Sequence, residues 1–590
     1  ENLKDIRKGK DMRDYCLQID NTVLETCNFL NTRCETVQPE VDADFPYRPV
    51  HTGRIDKIFR MQDETRKMVS YIPKNFPAAG EGILILAARG ETAEDYLEKK
   101  DFWRQYAEKR NAVIIILEAA EEGWRQRELQ KDVDFLDAVL LFLCQKEWYC
   151  VNEASIYLYG IGDGAYTAAA YSLAKPEKIA AFATWGTAKL HPDLLEQIRN
   201  KKSIARPELK NADYPVAAWM IRETGEDAPT AEYIKSTLRG GEEKIVSDKA
   251  QIYLQNAKRF PRTINDECCA RLLLSTKEQF PDGPEAEEVL DFLLQYRRWF
   301  GQENGHLRYT RTPEDLGLTL YRCEYQGLHR YYYVYEPSSY RHGVGGKRPL
   351  VLAIHGYSCT GEMFVQNTQW NDVAEEKDFF VIFPTAYPGM TQSNCTPLPM
   401  WRNGPAVWGP QNDVDDVAFL SHVLDEVETN YPIDTERVYV TGHSNGSVMT
   451  QILVNKIPER FAAAAPVGLT HGDLGILPYT SCPDVRIPFW LLKGELDIGC
   501  ACDMSEESPN TVMLQLMCGA NHADYSSPKE QTNGKFRNKT FSDAEGRPMV
   551  RFTEMEKLPH AYTTEMSYAI WNEYFAKFRR CGDGKIEYTE

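Results

Sequence analysis

Apolar positions along this chain fall into short unbroken runs separated by amphipathic stretches. The runs "GILILAA" from Gly82, "AVIIIL" from Ala112, "PLVLAI" from Pro349 and "FFVIFP" from Phe379 lack the alternation of a half-exposed strand. They predict strands buried on both faces, as in a parallel sheet. Between them lie segments of helical period, such as "FWRQYAEKR" from Phe102 and "DVAFLSHVLDEV" from Asp416. Strands alternating with helices predict βαβ units, so the expected fold class is α/β with mainly parallel, doubly wound sheets.

The pattern occurs twice, with a period of about half the chain. "TRKMVSYIPKNF" from Thr65 parallels "LHRYYYVYEPSSY" from Leu328, with Pro73 matching Pro337. "GILILAARGETAEDY" parallels "PLVLAIHGYSCTGEMF", and a Trp-led helix follows in each (Trp103, Trp370). From Asp132 and from Asp416 the two copies then share helix, strand, glycine turn, helix and strand in the same order. The expected organisation is an N-terminal extension over 1–45, a first α/β domain over 46–305 and a second over 306–590. The polar join lies near 301–317.

Composition narrows the partners. The formal net charge is −19, which disfavours nucleic acid and anionic membrane surfaces. No apolar run approaches the roughly 20 residues needed to span a bilayer. The 15 cysteines do not describe a small disulfide scaffold in a chain this long, and "CAC" at Cys500–Cys502 lacks a second paired-ligand motif for zinc. A reducing, cytoplasmic setting is expected. The N-terminus has neither an apolar signal core nor an initiator Met, so export stays open if a leader was removed. Oligomeric state is left open.

Chemistry separates the copies. In the first, "YGIGDGA" fits G-x-G-x-x-A at Gly160, Gly162 and Ala165. That dinucleotide fingerprint normally follows the first strand of its fold, and the next strand should end in a ribose-binding acid. Neither condition is met here. In the second copy the same turn reads "TGHSNGS", with Gly442, Ser444 and Gly446 as G-x-S-x-G between an apolar strand and a helix. This is the context of a nucleophile elbow. Gly162 falls on Ser444, so the first copy has no nucleophile. Asp282 lies near the position matching the base, with no His close by, and Asp227 is a candidate remnant of the acid.

An elbow serine needs an acid and then a His further along the chain. Asp497, at the tip of the strand "IPFWLLKGEL", is the candidate acid, with Glu495 as runner-up. His560, in the last loop before the terminal helix, is the candidate base. His522 is its rival, and His471 precedes the acid and breaks the order. The backbone amides of Asn445 and Tyr357 are the expected oxyanion donors. His355 beside Tyr357 is a candidate pocket residue or a buried loop former. Cys359 in the same loop has no elbow. Trp401 and Trp408 are candidates for a pocket wall, with loop anchoring as the alternative.

The stretches "RYYYVYEPSSY", "PLVLAIHGYSCTG", "VDDVAFLSHVLDEV", "RVYVTGHSNGSVM" and "ERFAAAAPVG" resemble the polyhydroxybutyrate depolymerase-like esterases and the carbohydrate-esterase family 1 feruloyl and acetyl xylan esterases, over roughly residues 318–580. The resemblance implies an α/β-hydrolase fold for that region, and with the internal repeat the expectation becomes two tandem α/β-hydrolase domains, the first degenerate. It also implies a Ser444–Asp497–His560 triad, hydrolysis of carboxylic esters through an acyl-enzyme, and neither cofactor nor metal. The implied substrate is a small-molecule or polymer-borne ester of a feruloyl, acetyl or hydroxyalkanoate acid. The acid loop "KGELDIG" and the base in "LPHAY" depart from the group's usual His-Gly and Gly-Gly-His surroundings, which leaves the acyl and alcohol parts open. Two other readings stand beside this one. One is a binding or scaffold protein whose silent domain docks a polymer or partner, and the other is an acyltransferase or peptidase using the same triad.

Overall fold

The structure, a computed structural model, describes residues 33–34, 52–61, 64–77, 80–144, 151–203, 209–222, 227–240, 243–247, 250–256, 268–277, 284–298, 307–389, 398–402, 414–474 and 485–589. The expected N-terminal extension lies outside them apart from Arg33–Cys34, as do Asp282, Trp408 and residues 301–306 of the expected join. The described residues form two compact units, one within 11–310 and the other within 311–590. Each has its own hydrophobic core.

In the C-terminal unit ten strands form one sheet. Across it they run Leu318–Tyr325, Leu328–Tyr335, Phe380–Pro384, Arg348–Ile354, Ile433–His443, Ala463–Val467, Phe489–Leu496, Val550–Pro559, Phe536–Phe541 and Lys529–Asn533. The central six are mutually parallel and the outer pairings are antiparallel. The N-terminal unit repeats this order with one additional edge strand, Arg33–Cys34. It runs Gly53–Arg60, Thr65–Ile72, Val113–Leu117, Gly82–Leu86, Ile156–Ile161, Ala181–Trp185, Ala218–Arg222, Arg271–Thr276, Ala250–Leu254 and Glu243–Ser247. The central strands are the apolar runs of the sequence. Gly82–Leu86, Val113–Leu117 and Phe380–Pro384 are buried at every residue, as helices on both faces require.

Register makes the two sheets comparable residue by residue. Leu86 pairs with Gly160, and Ile354 pairs with Gly442. Polar contacts recur at the matched positions. Arg66 binds Asp132 at 2.8 Å and Arg330 binds Asp416 at 2.8 Å, all four groups buried. The Arg125 and Arg402 amides donate to the second oxygens of those carboxylates, each at 2.8 Å. Tyr157 and Tyr439 donate their hydroxyls to the carbonyls of Tyr296 and Phe578. Trp219 and Trp490 donate Nε1 to the hydroxyls of Ser275 and Thr553. Each buried carboxylate is thus satisfied on both oxygens, which a charge inside a core demands.

Candidate active site

The strand Ile433–His443 runs straight into the helix Asn445–Lys456, with Ser444 alone at the turn. Ser444 has φ 54° and ψ −115°, a conformation that costs a non-glycine residue on the order of 1–3 kcal/mol. The helix can follow so closely only because Gly446 has no side chain: a Cβ there would lie 2.3 Å from the Ile354 carbonyl oxygen. The Ser444 amide donates to Val467 O at 3.0 Å, so the neighbouring strand fixes the elbow. Asn445 opens the helix, where amides and the helix dipole favour negative charge.

Asp497 and His560 come together across the end of the sheet. His560 Nδ1 lies 2.5 Å from Asp497 Oδ1. Burial alone would raise the Asp497 carboxyl. The adjacent His560, with smaller contributions from Lys493 and His443, outweighs it and holds the group below the usual carboxylate range. An ionised carboxylate only accepts, so Nδ1 carries the proton and Nε2 is left with its lone pair. The Ile498 amide donates to Oδ1 at 2.7 Å and the Gly494 amide to Oδ2 at 3.3 Å. Glu495 instead accepts the Lys557 amide at 2.8 Å. His522 is exposed at the end of the helix Pro509–Asn521.

His560 sits over the elbow. A Cβ built on Gly468, the residue after Val467, would lie 3.1 Å from His560 Cε1. The His560 and His443 rings are 4.7 Å apart with 33° between their planes. His443 itself is pushed down to about 3, by burial first and by His560 second, so it is a neutral wall for the His560 ring. Nothing in the sequence reading singled it out, although it stands inside G-H-S-N-G.

His355 and Trp401 are fully buried, in line with the loop-former and anchoring alternatives. His355 Nε2 accepts the Ala386 amide at 3.0 Å and Nδ1 lies 2.6 Å from Gly356 O. The ring is therefore neutral, and burial pushes it down to about 3. Trp401 Nε1 donates to His355 O at 2.9 Å, and its amide donates to Asn445 Oδ1 at 2.7 Å. The Asn445 side chain returns a bond to Trp401 O at 3.2 Å. The oxyanion loop and the first turn of the elbow helix are thereby tied together. Tyr357 is half-buried in that loop, followed by Ser358 at φ 61°. Cys359 is half-buried, and its thiol faces Thr360 O at 3.5 Å.

The acid loop has a support that the sequence reading passed over. Lys493 Nζ and Asp473 Oδ2 are 2.6 Å apart, both side chains wholly buried. Asp473 also accepts the Thr470 amide at 2.8 Å and the Cys500 amide at 2.7 Å. The signal was Lys493 itself, a lone cation in the apolar run "FWLLKG".

The matched turn of the N-terminal unit differs. Gly162 stands at the serine position with φ 58°. Asp163 stands where Asn445 does, and its Oδ1 accepts the Arg89 amide, the counterpart of Tyr357, at 2.8 Å. Its Oδ2 accepts the Trp124 amide at 2.8 Å, while Trp124 Nε1 donates to Ala87 O at 2.7 Å. The glycines serve close packing. A Cβ on Gly164 would lie 2.6 Å from Leu86 O, as at Gly446. Asp227 is buried and accepts the Ala188 amide at 3.0 Å.

No helix among the described residues is long and apolar enough to cross a membrane. Residues 326–470 match the family model described as "Putative esterase", which bears out the expected resemblance. The elbow and the oxyanion loop fall inside that segment; Asp497 and His560 lie beyond it. The chain is 30% identical over 141 residues to the bifunctional acetylxylan esterase/xylanase of Neocallimastix patriciarum, covering 24% of this chain and 18% of that protein. It is 29% identical over 125 residues to poly(3-hydroxyalkanoate) depolymerase C of Paucimonas lemoignei, covering 21% and 28%. The chain thus spans less than a third of the length of these curated relatives. Among solved structures, the acetyl xylan esterase from Aspergillus awamori aligns with a TM-score of 0.33 at 16% identity, covering 44% of this chain and 99% of that one.

Proposed function

We propose that the C-terminal unit is a serine carboxylic-ester hydrolase and that the N-terminal unit is catalytically silent. The observation that carries the first half is the ionised Asp497 paired with His560 beside a serine held at positive φ. His560 Nε2 takes the Ser444 proton as Oγ attacks the ester carbonyl. Asp497 fixes the tautomer and favours the imidazolium that forms. The negative oxygen of the tetrahedral intermediate is met by the Asn445 and Tyr357 amides. His560 then protonates the leaving alcohol, and water releases the acyl group by the same steps in reverse. The acyl group belongs to the range named by the relatives, acetyl or hydroxyalkanoate, or to the feruloyl class.

The second half rests on two differences at the matched turn. Gly162 offers no nucleophile, and the Asp163 carboxylate already occupies the amide that would meet an oxyanion.

Hydrolysis of p-nitrophenyl acetate, feruloyl and 3-hydroxybutyryl esters by the full chain tests the first half. Ser444→Ala is expected to lower kcat by about 10⁴-fold or more, with the fold retained by circular dichroism. Turnover equal to that of the unaltered protein would rule out the assignment.

A further inference from the structure

We propose that Cys323, His422 and Glu426 form a binding site for a divalent cation of the zinc class, separate from the Ser444 machinery. Cys323 lies on the edge strand Leu318–Tyr325, and His422 and Glu426 lie on the helix Asp416–Asn430. One ligand atom from each falls within 4.8 Å of the other two, and His422 Nε2 is 3.6 Å from Glu426 Oε2. Zinc bonds of about 2.0–2.3 Å in a tetrahedron place ligand atoms roughly 3.3–3.6 Å apart. The group therefore needs only small side-chain adjustments to close on an ion, with water as the fourth ligand. Thiolate, imidazole and carboxylate together suit zinc rather than magnesium or calcium.

The three side chains are aimed by the fold. His422 and Glu426 are four residues apart, so they share one helix face. Their neighbours hold them as outer-shell groups hold metal ligands. Tyr332 donates its hydroxyl to Glu426 Oε2 at 3.1 Å. The Tyr325 ring stacks on His422 at 4.8 Å and 23°. Burial and the Glu426 carboxylate raise the Cys323 thiol, and ion uptake would release that proton to solvent.

The other half of the chain supplies an internal control. Cys323 pairs with Arg330, which binds Asp416; Phe59 pairs with Arg66, which binds Asp132. Counting from those anchors, the positions of Cys323, His422 and Glu426 are taken in the N-terminal unit by Phe59, Ala138 and Phe142. The two phenylalanines make an edge-on contact at 5.9 Å. In one copy this spot is therefore filled by two aromatic rings with the buried Lys57 ammonium over both, and it offers no metal ligand. In the other it holds three groups that can ligate a metal.

The test uses the full chain freed of metal by a chelator and titrated with zinc against a chromophoric chelator, and with cobalt followed by absorption. One zinc equivalent is expected, together with a thiolate-to-cobalt charge-transfer band. Cys323→Ser and His422→Ala should each weaken zinc at least ten-fold, and Cys323→Ser should abolish the band. Cys581→Ser, at a half-buried cysteine outside both sites, should leave both unchanged, and ester hydrolysis should be unaffected in every variant. The triple variant Cys323→Phe, His422→Ala, Glu426→Phe carries the three N-terminal residues in place of the ligands and should fold without binding. Equal zinc stoichiometry and affinity in the unaltered chain and Cys323→Ser, or no uptake by the unaltered chain at micromolar zinc, would overturn the proposal.

Discussion

At the scale of single residues, the site combines strain with suppressed charge. Ser444 holds a backbone conformation that the matched Gly162 adopts without a Cβ. Ser444→Gly is therefore expected to be inactive yet more stable by about 1 kcal/mol in urea unfolding. A loss of stability would mean the turn is not strained. Three histidines of the C-terminal unit are pushed down by burial, His355 and His443 to about 3 and His471 to about 4. Below pH 6.5 the unfolded chain protonates these positions while the folded chain does not. Stability should therefore fall as pH drops from about 6.5 towards 4. Asp473 and Asp497 are held low, so their contributions persist through this window and vanish only at lower pH. Urea midpoints that stay level between pH 7 and 4.5 would contradict the histidine assignment.

At the scale of elements, what matters is how strand ends are fastened to one another. The strand Phe489–Leu496 carries Lys493 and delivers Asp497, and Val550–Pro559 leads to His560. Between them a Cβ on Gly494 would lie 2.2 Å from Leu558 O, so the two strand ends converge closely. Asp473 joins the loop after the strand Ala463–Val467 to this assembly through Lys493 and the Cys500 amide. Asp473→Asn should cost about 3–5 kcal/mol, because it leaves a buried ammonium without its partner. It should also lower kcat by loosening Asp497. Asp473→Asn combined with Lys493→Met should recover most of the stability, and a double variant no more stable than the single would count against this account. The apolar runs mark the central strands, whereas edge strands such as Lys529–Asn533, exposed at every residue, carry no such run. The sequence reading passed over the Lys493–Asp473 pair because partners 20 residues apart share no periodicity. For Trp401 and His355 the sequence leaves pocket wall and buried anchor both open, since an aromatic in a loop reads the same whether it faces a ligand or a carbonyl.

At the scale of the whole molecule, two sheets of the same strand order carry different turns. Matched ion pairs, tyrosine bonds and tryptophan bonds recur in both units, while the chemistry-bearing positions diverge. That contrast motivates the view that only one unit works. Adding Gly162→Ser to the Ser444→Ala protein should restore no ester hydrolysis. The new serine would have an occupied amide and the Asp163 charge beside it, and its Cβ would meet Ala88 Cβ at 2.9 Å. Recovered turnover in that double variant would show that the N-terminal turn is competent.

The sequence by itself determined the alternation of buried strands and helices, the doubling of that pattern, and the contrast between "TGHSNGS" and "YGIGDGA". These are local properties, set by side-chain periodicity and by the steric demand of a tight turn. Only the tertiary structure decided which carboxylate meets His560, which aromatic is a brace, and that Asp163 fills its own oxyanion position. It alone brings Cys323 to His422 and Glu426. Those outcomes depend on register between strands and helices far apart in the chain, where a shift of one residue would turn each side chain to the opposite face.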